Sequence, residues 1–123
     1  MRVLVDTSIW VDHFRRGDSR LAGLLDRQIV VMHPFVIGEL VLGHVQIAEM
    51  VDDLRGLPRA AQADTDEILE FIAHRKLSGS GIGYVDVHLL AAAALAAETY
   101  VWTRDKRLHA TAQSLSLAAD IRE

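Results

Sequence analysis

The chain has 123 residues, with 17 acidic against 13 basic side chains for a net charge of −4, and half of its residues are hydrophobic. That leaves room for one domain, spanning 1–123, with a real core; it excludes a disordered chain and a protein that coats nucleic acid by charge alone. The absence of cysteine excludes a disulfide scaffold, a thiolate metal site and a cysteine nucleophile, and fits a reducing compartment.

The opening MRVLVDTSIW puts Asp6 where the apolar stretch of a signal peptide would have to run, so no leader is expected. Val3, Leu4 and Val5 read as a buried strand ending at Asp6. Thr7 or Ser8 can cap a short helix to about Arg16, with Gly17 as its stop. Asp18 or Ser19 opens a second helix, in which Leu21, Leu24 and Leu25 share a face. Ile29 to Met32 form a second strand, and Pro34 suits the first turn of a helix carrying Phe35, Ile37, Glu39, Leu40 and Leu42. The stretch from Ile29 to Ile47 is greasy but broken by His33, Pro34, Glu39 and His44. A carboxylate at mid-bilayer would cost about 2.5–3.5 kcal/mol, so a soluble, cytoplasmic protein is expected.

Another helix is predicted from His44 to Leu54. Asp64 with Glu67 is a capping-box variant opening the next, with Ile68, Leu69, Ile72 and Ala73 on one face. Gly79, Gly81 and Gly83 break the chain before Val85 to Ala97, which is apolar almost all round and so reads as a helix buried inside the fold. Tyr100 to Trp102 form a third strand, Lys106 to Ser114 a last helix, and Ser116 to Ala118 a candidate fourth strand. Short apolar strands separated by helices predict an α/β fold: a three-layer α/β/α sandwich around a short parallel sheet of four to five strands.

On that plan the acids fall in an informative place. Asp6 ends the first strand, Thr103 and Asp105 follow the third, and Glu39 lies early in the helix leaving the second. Asp86 sits in the first turn of the buried helix. Strand ends of a parallel sheet share one edge, where ligand crevices form, so the four carboxylates can converge there. Close carboxylates repel unless a cation joins them. Oxygen ligands without Cys or a His pair at ligand spacing favour Mg²⁺ or Mn²⁺ over zinc. Setting those four aside leaves the rest of the chain electrically neutral; a phosphodiester, drawn in once metal is bound, is the natural substrate. Each acid also has an ordinary explanation: Asp6 and Asp105 as helix caps, Asp86 as a first-turn Asp favoured by the helix dipole. Glu39, beside Val36, Leu40 and Val41, is hardest to explain that way, since a buried unpaired Glu is costly.

The segments VDTSIW around Asp6, FVIGELVLG around Glu39, GIGYVDVHLLAAAAL around Asp86 and VWTRDKRL around Asp105, taken in order over the whole chain, resemble the PIN-domain nucleases. More narrowly they resemble the VapC ribonuclease toxins of toxin–antitoxin pairs. The resemblance implies that Asp6, Glu39, Asp86 and Asp105 form an acidic Mg²⁺ or Mn²⁺ site, with Thr103 orienting a carboxylate or water. It further implies an endoribonuclease that cuts RNA by in-line attack of a metal-activated water, and a homodimer neutralised by a VapB-type antitoxin. Leu108 stands where many family members carry Phe, a difference of packing.

All but two of the thirteen basic residues are Arg (Lys76 and Lys106 are the exceptions), and Arg104, Lys106 and Arg107 beside Asp105 are candidate phosphate contacts. Asp12 reads as a solvated helix residue able to reach a second metal, and His88 as a packed histidine pointing away from Asp86. His13, His33, His44, His74 and His109 are assigned nothing. Gly79, Gly81 and Gly83 follow a helix rather than a strand, which is wrong for a nucleotide fingerprint. Among the alternatives, a housekeeping RNA-processing nuclease of the same fold shares every motif. A receiver-like Mg²⁺-binding signalling domain needs two acids after the first strand, whereas Thr7 and Ser8 follow Asp6. A D-x-D phosphatase fails at Ser8, and an inactive binding module or a metal-free histidine RNase leaves the four acids without purpose.

Overall fold

The computed structural model describes residues 1–122. Three parallel strands, β1 (Arg2–Val5), β2 (Val30–Val31) and β3 (Thr99–Trp102), form a sheet in the order β2-β1-β3. Val3 pairs with Val30 and Tyr100, and Leu4 with Val31 and Val101. Successive side chains of a strand point to opposite faces, and Val3, Leu4 and Val5 are all fully buried. Both faces of the central strand are therefore covered by helices, as parallel sheets require.

The predicted four to five strands are reduced to three, and the reason lies at the two sheet edges. Ala118 makes one isolated bridge to Val101, and Arg59 makes one to Met32. At the second, Met32 N–H donates to the Pro58 carbonyl, and proline has no N–H with which to continue the ladder. At the first, Ser116 sits at φ +60°, outside strand geometry. Ser116 to Ala118 is thus an extension one bridge long.

The helices follow the chain order predicted. They are α1 (Thr7–Arg16), α2 (Ser19–Asp26), α3 (Pro34–Gly43), α4 (Val45–Ala48), α5 (Val51–Arg55), α6 (Thr65–His74), α7 (Tyr84–Leu95) and α8 (Lys106–Ser114). The single helix expected from His44 to Leu54 is instead the pair α4 and α5. The cap of α1 is Asp6 rather than Thr7 or Ser8: its carboxylate accepts from Thr7 N–H at 2.8 Å. Gly17 ends α1 at φ +75°, a conformation that favours glycine. The capping box at Asp64 and Glu67 is complete. In α7, Val87 to Ala93 are buried without interruption, the all-round apolar helix inferred above.

Candidate metal centre

Asp6 follows the end of the central strand β1, between β2 on one side and β3 on the other, and leads into α1. Its backbone N–H continues the ladder onto Trp102 O at 2.9 Å, which fixes where the side chain emerges. Asp6 is 7 % exposed and its carboxylate is well partnered. Oδ1 takes Thr7 N–H; Oδ2 takes the Thr103 hydroxyl at 2.6 Å and the Ser8 hydroxyl at 3.3 Å.

Thr103, itself buried, ties this strand end to the next. Its Oγ1 also accepts Asp105 N–H at 3.0 Å, so one hydroxyl bridges the Asp6 carboxylate and the backbone of Asp105. Asp105 in turn caps α8, accepting Leu108 N–H at 2.9 Å. The ordinary explanations of Asp6 and Asp105 as caps are therefore both true, and both acids still lie at one edge.

Glu39 is the correction. Expected as a buried carboxylate, it is exposed, because α3 turns Val36 and Leu40 inward and leaves Glu39 facing outward. Burial cost therefore gives no reason for it. Its position is fixed by Thr7, whose hydroxyl donates to Oε1 at 2.6 Å across 32 residues of sequence, joining α1 to α3.

Asp86, in the first turn of α7, reports on the other three. Burial first, then the negative charges of Asp6, Asp105 and Glu39, push its carboxyl up to about 6, against a hydrogen bond from the Gly83 backbone that works the other way. The negative charges of Asp6, Asp105 and Glu39 thus all act in the same direction on Asp86. As they stand, no three acidic or histidine groups among the described residues converge to ligand distance. An all-oxygen donor set at the end of a sheet fits a hard divalent ion.

The basic residues are placed less simply. Arg104 pairs with Asp12 and Asp18. Arg107 donates to the Gly81 carbonyl at 3.2 Å and lies so close to Gly81 that a Cβ there would stand 2.6 Å from its guanidinium. Lys106 is exposed. Asp12 is not a solvated residue: its side chain is 20 % exposed and paired with Arg104 and Arg16.

His88 is packed, as expected, between Phe35 and Tyr84, at ring-centroid distances of 4.6 and 4.8 Å. His33, assigned nothing from sequence, is fully buried and caps α3 by accepting Phe35 N–H at 3.0 Å; burial, with His88 nearby, lowers its pKa to about 4. A histidine directly before a first-turn proline was the available signal for that cap. A hollow of about 730 Å³ lies away from the acids, against Phe71, Ala91 and Leu95.

The model of the PIN domain matches residues 3–114. The chain belongs to the PIN-domain family. This PIN domain is also 41 % identical over 117 residues to Ribonuclease VapC32 of Mycobacterium tuberculosis, from strains CDC 1551 / Oshkosh and H37Rv alike, covering 94 % of each protein; that likeness places it within the VapC group. Its fold resembles the crystal structure of PAE2754 from Pyrobaculum aerophilum, with a TM-score of 0.57 at 17 % identity, covering 94 % of this chain and 86 % of that one. No helix among the described residues is long and apolar enough to cross a membrane.

Proposed function

We propose that this PIN domain, one three-layer α/β/α unit over the whole chain, is a divalent-metal-dependent endoribonuclease and the toxin of a VapBC-type pair. The observation that carries the reading is the likeness to Ribonuclease VapC32, 41 % identical over 94 % of each chain; the negative charges of Asp6, Asp105 and Glu39 acting on Asp86 support it. Those four residues would hold Mg²⁺ or Mn²⁺, which supplies Lewis acidity toward the phosphate and lowers the pKa of the attacking water.

The chain's own part is preorganisation. Thr103 and Ser8 hold one oxygen of Asp6 and Thr7 N–H holds the other, so its orientation is set before substrate arrives. Thr7 restrains Glu39, whose exposed side chain otherwise has several rotamers to lose. Thr103 fixes the backbone of Asp105. Lys106, at the start of α8 and exposed, is the basic residue we assign to a substrate phosphate. Arg104 and Arg107 are engaged with the protein itself. Loading the site requires Asp86 to be ionised, so metal binding weakens as pH falls through about 6.

A homodimer and a VapB-type antitoxin as partners, in the cytoplasm, complete the reading. An apolar groove of about 600 Å³ beside Glu39, lined by Phe35, Val41, Leu42 and Val85, gives either partner a surface, and Leu42 there is 90 % exposed. The test is cleavage of total RNA with Mg²⁺ or Mn²⁺, with EDTA, and by Asp6→Asn. We expect activity that EDTA removes and metal restores, and an Asp6→Asn protein that folds and does not cut. Activity persisting in EDTA, or in Asp6→Asn, ends the proposal. Growth arrest relieved by the product of a neighbouring reading frame separates a toxin from a housekeeping nuclease.

A further inference from the structure

We infer that Arg104 is a positioning residue that clamps the β3–α8 corner, rather than a contact to substrate phosphates. The inference rests on the nuclease reading above. Arg104 lies between Thr103 and Asp105, and it is tied at both of its ends. Its backbone N–H donates to Ser8 Oγ at 3.2 Å, and that hydroxyl donates to Asp6 Oδ2. Its guanidinium reaches over the corner, with Nε 2.5 Å from Asp12 Oδ2 on α1 and a terminal nitrogen 3.5 Å from Asp18 Oδ2, at the cap of α2.

Asp18 is a fixed post for that reach. Its side chain is 6 % exposed, and it accepts the backbone N–H groups of Arg20 and Leu21 as well as a forked contact from the Arg20 guanidinium. Asp12 is a second post, one and a half turns along the helix that Asp6 caps. A planar guanidinium presents a fixed fork of donors to two carboxylates at once, a geometry that the rotating ammonium of a lysine does not reproduce.

The neighbours of Arg104 explain why the clamp matters. On one side is the hydroxyl that holds Asp6 at 2.6 Å, and on the other a carboxylate whose backbone hangs on that hydroxyl at 3.0 Å. If the corner shifts, Asp6, Thr103 and Asp105 lose register together. Arg104 is engaged with Asp12 and Asp18, and so is not free to turn toward an approaching polyanion.

The experiment compares the wild type with Arg104→Gln, Arg104→Lys, Asp12→Asn and the double variant Arg104→Gln/Asp12→Asn. Three readouts are taken: cleavage of an RNA pool in Mg²⁺, salt-dependent binding of a fluorescent oligoribonucleotide, and amide hydrogen exchange. We expect Arg104→Gln to lower kcat by about ten- to a hundredfold, the scale of an ångström-level misplacement, with KM and the salt slope of binding unchanged. The amides of Arg104 and Asp105 should exchange faster while those of β1 do not. Arg104→Lys should recover part of the loss, and the double variant should be no worse than Arg104→Gln, because the two residues act through each other. A salt slope reduced by about one with kcat intact marks a phosphate contact instead and overturns the inference, as does unchanged exchange at the corner. Should the wild type cut no RNA, the nuclease reading fails by itself, and the exchange data still decide the role of Arg104.

Discussion

Asp18 and Asp86 are the same side chain, both drawn back from open water, yet their acidities lie on opposite sides of the ordinary value. The Arg20 guanidinium, helped by backbone N–H groups and opposed by burial, lowers Asp18 to about 2. Burial and three neighbouring carboxylates raise Asp86 to about 6. Around Asp12 and Asp18 stand Arg16, Arg20 and Arg104; around Asp6 the partners are hydroxyls and a backbone N–H. The chain supplies its own cations where a carboxylate is structural. Around Asp86 it supplies none among the described residues, and the neighbouring charges of Asp6, Asp105 and Glu39 are negative like its own.

The contrast can be broken from either side. Asp18→Ala removes the cap of α2 and the anchor of two arginines and should cost about 2–3 kcal/mol at pH 7. Because the folded acidity is depressed, this contribution is complete above about 4 and lost as pH falls through about 2. Urea denaturation at pH 7 and pH 2 checks both the size and the sign.

Asp86→Asn should do the reverse. At pH 7 it removes a repelled charge and stabilises the fold by about 1–2 kcal/mol after allowance for its partial exposure to water, while cleavage is lost. The raised carboxyl favours the folded state in its protonated form, an advantage full below about 4 and gone as pH rises through about 6. The variant's gain should therefore shrink steadily between pH 7 and pH 4. His33, lowered to about 4 by burial, pulls wild type and variant alike in the opposite direction, so their difference isolates Asp86. A gain that is constant with pH would mean that the acids do not share a field.

Arg16→Ala is the small-effect control. Its side chain is 71 % exposed and 3.6 Å from Asp12 at i,i+4 spacing, so the loss should stay under about 0.5 kcal/mol. A larger value would show that the whole arginine cluster, and not Arg104 alone, holds the corner.

Local pattern carried much of this arrangement. The strand ending at Asp6, the capping box at Asp64 and the buried α7 all follow from short-range periodicity and capping chemistry. What local pattern could not reach were choices made across the fold. Whether Glu39 faces core or crevice depends on a rotation of α3 that Val36 and Leu40 decide together. Arg104 finds Asp12 and Asp18 across most of the chain, and nothing in TRDKR distinguishes an arginine that meets a carboxylate from one that meets a phosphate. The outer strands fail for reasons as local as one proline and one left-handed serine, but only in a tertiary context that demands pairing there.

Asp6 and Asp105 each use one oxygen to cap the helix that follows. An asparagine offers the same carbonyl oxygen to the same N–H, so the exchange removes charge while sparing the cap. At position 6 its amide nitrogen replaces the oxygen that accepts from Thr103 and Ser8. Aspartate and asparagine codons differ by a single base. One transition therefore separates each of these caps from an uncharged version that still starts its helix.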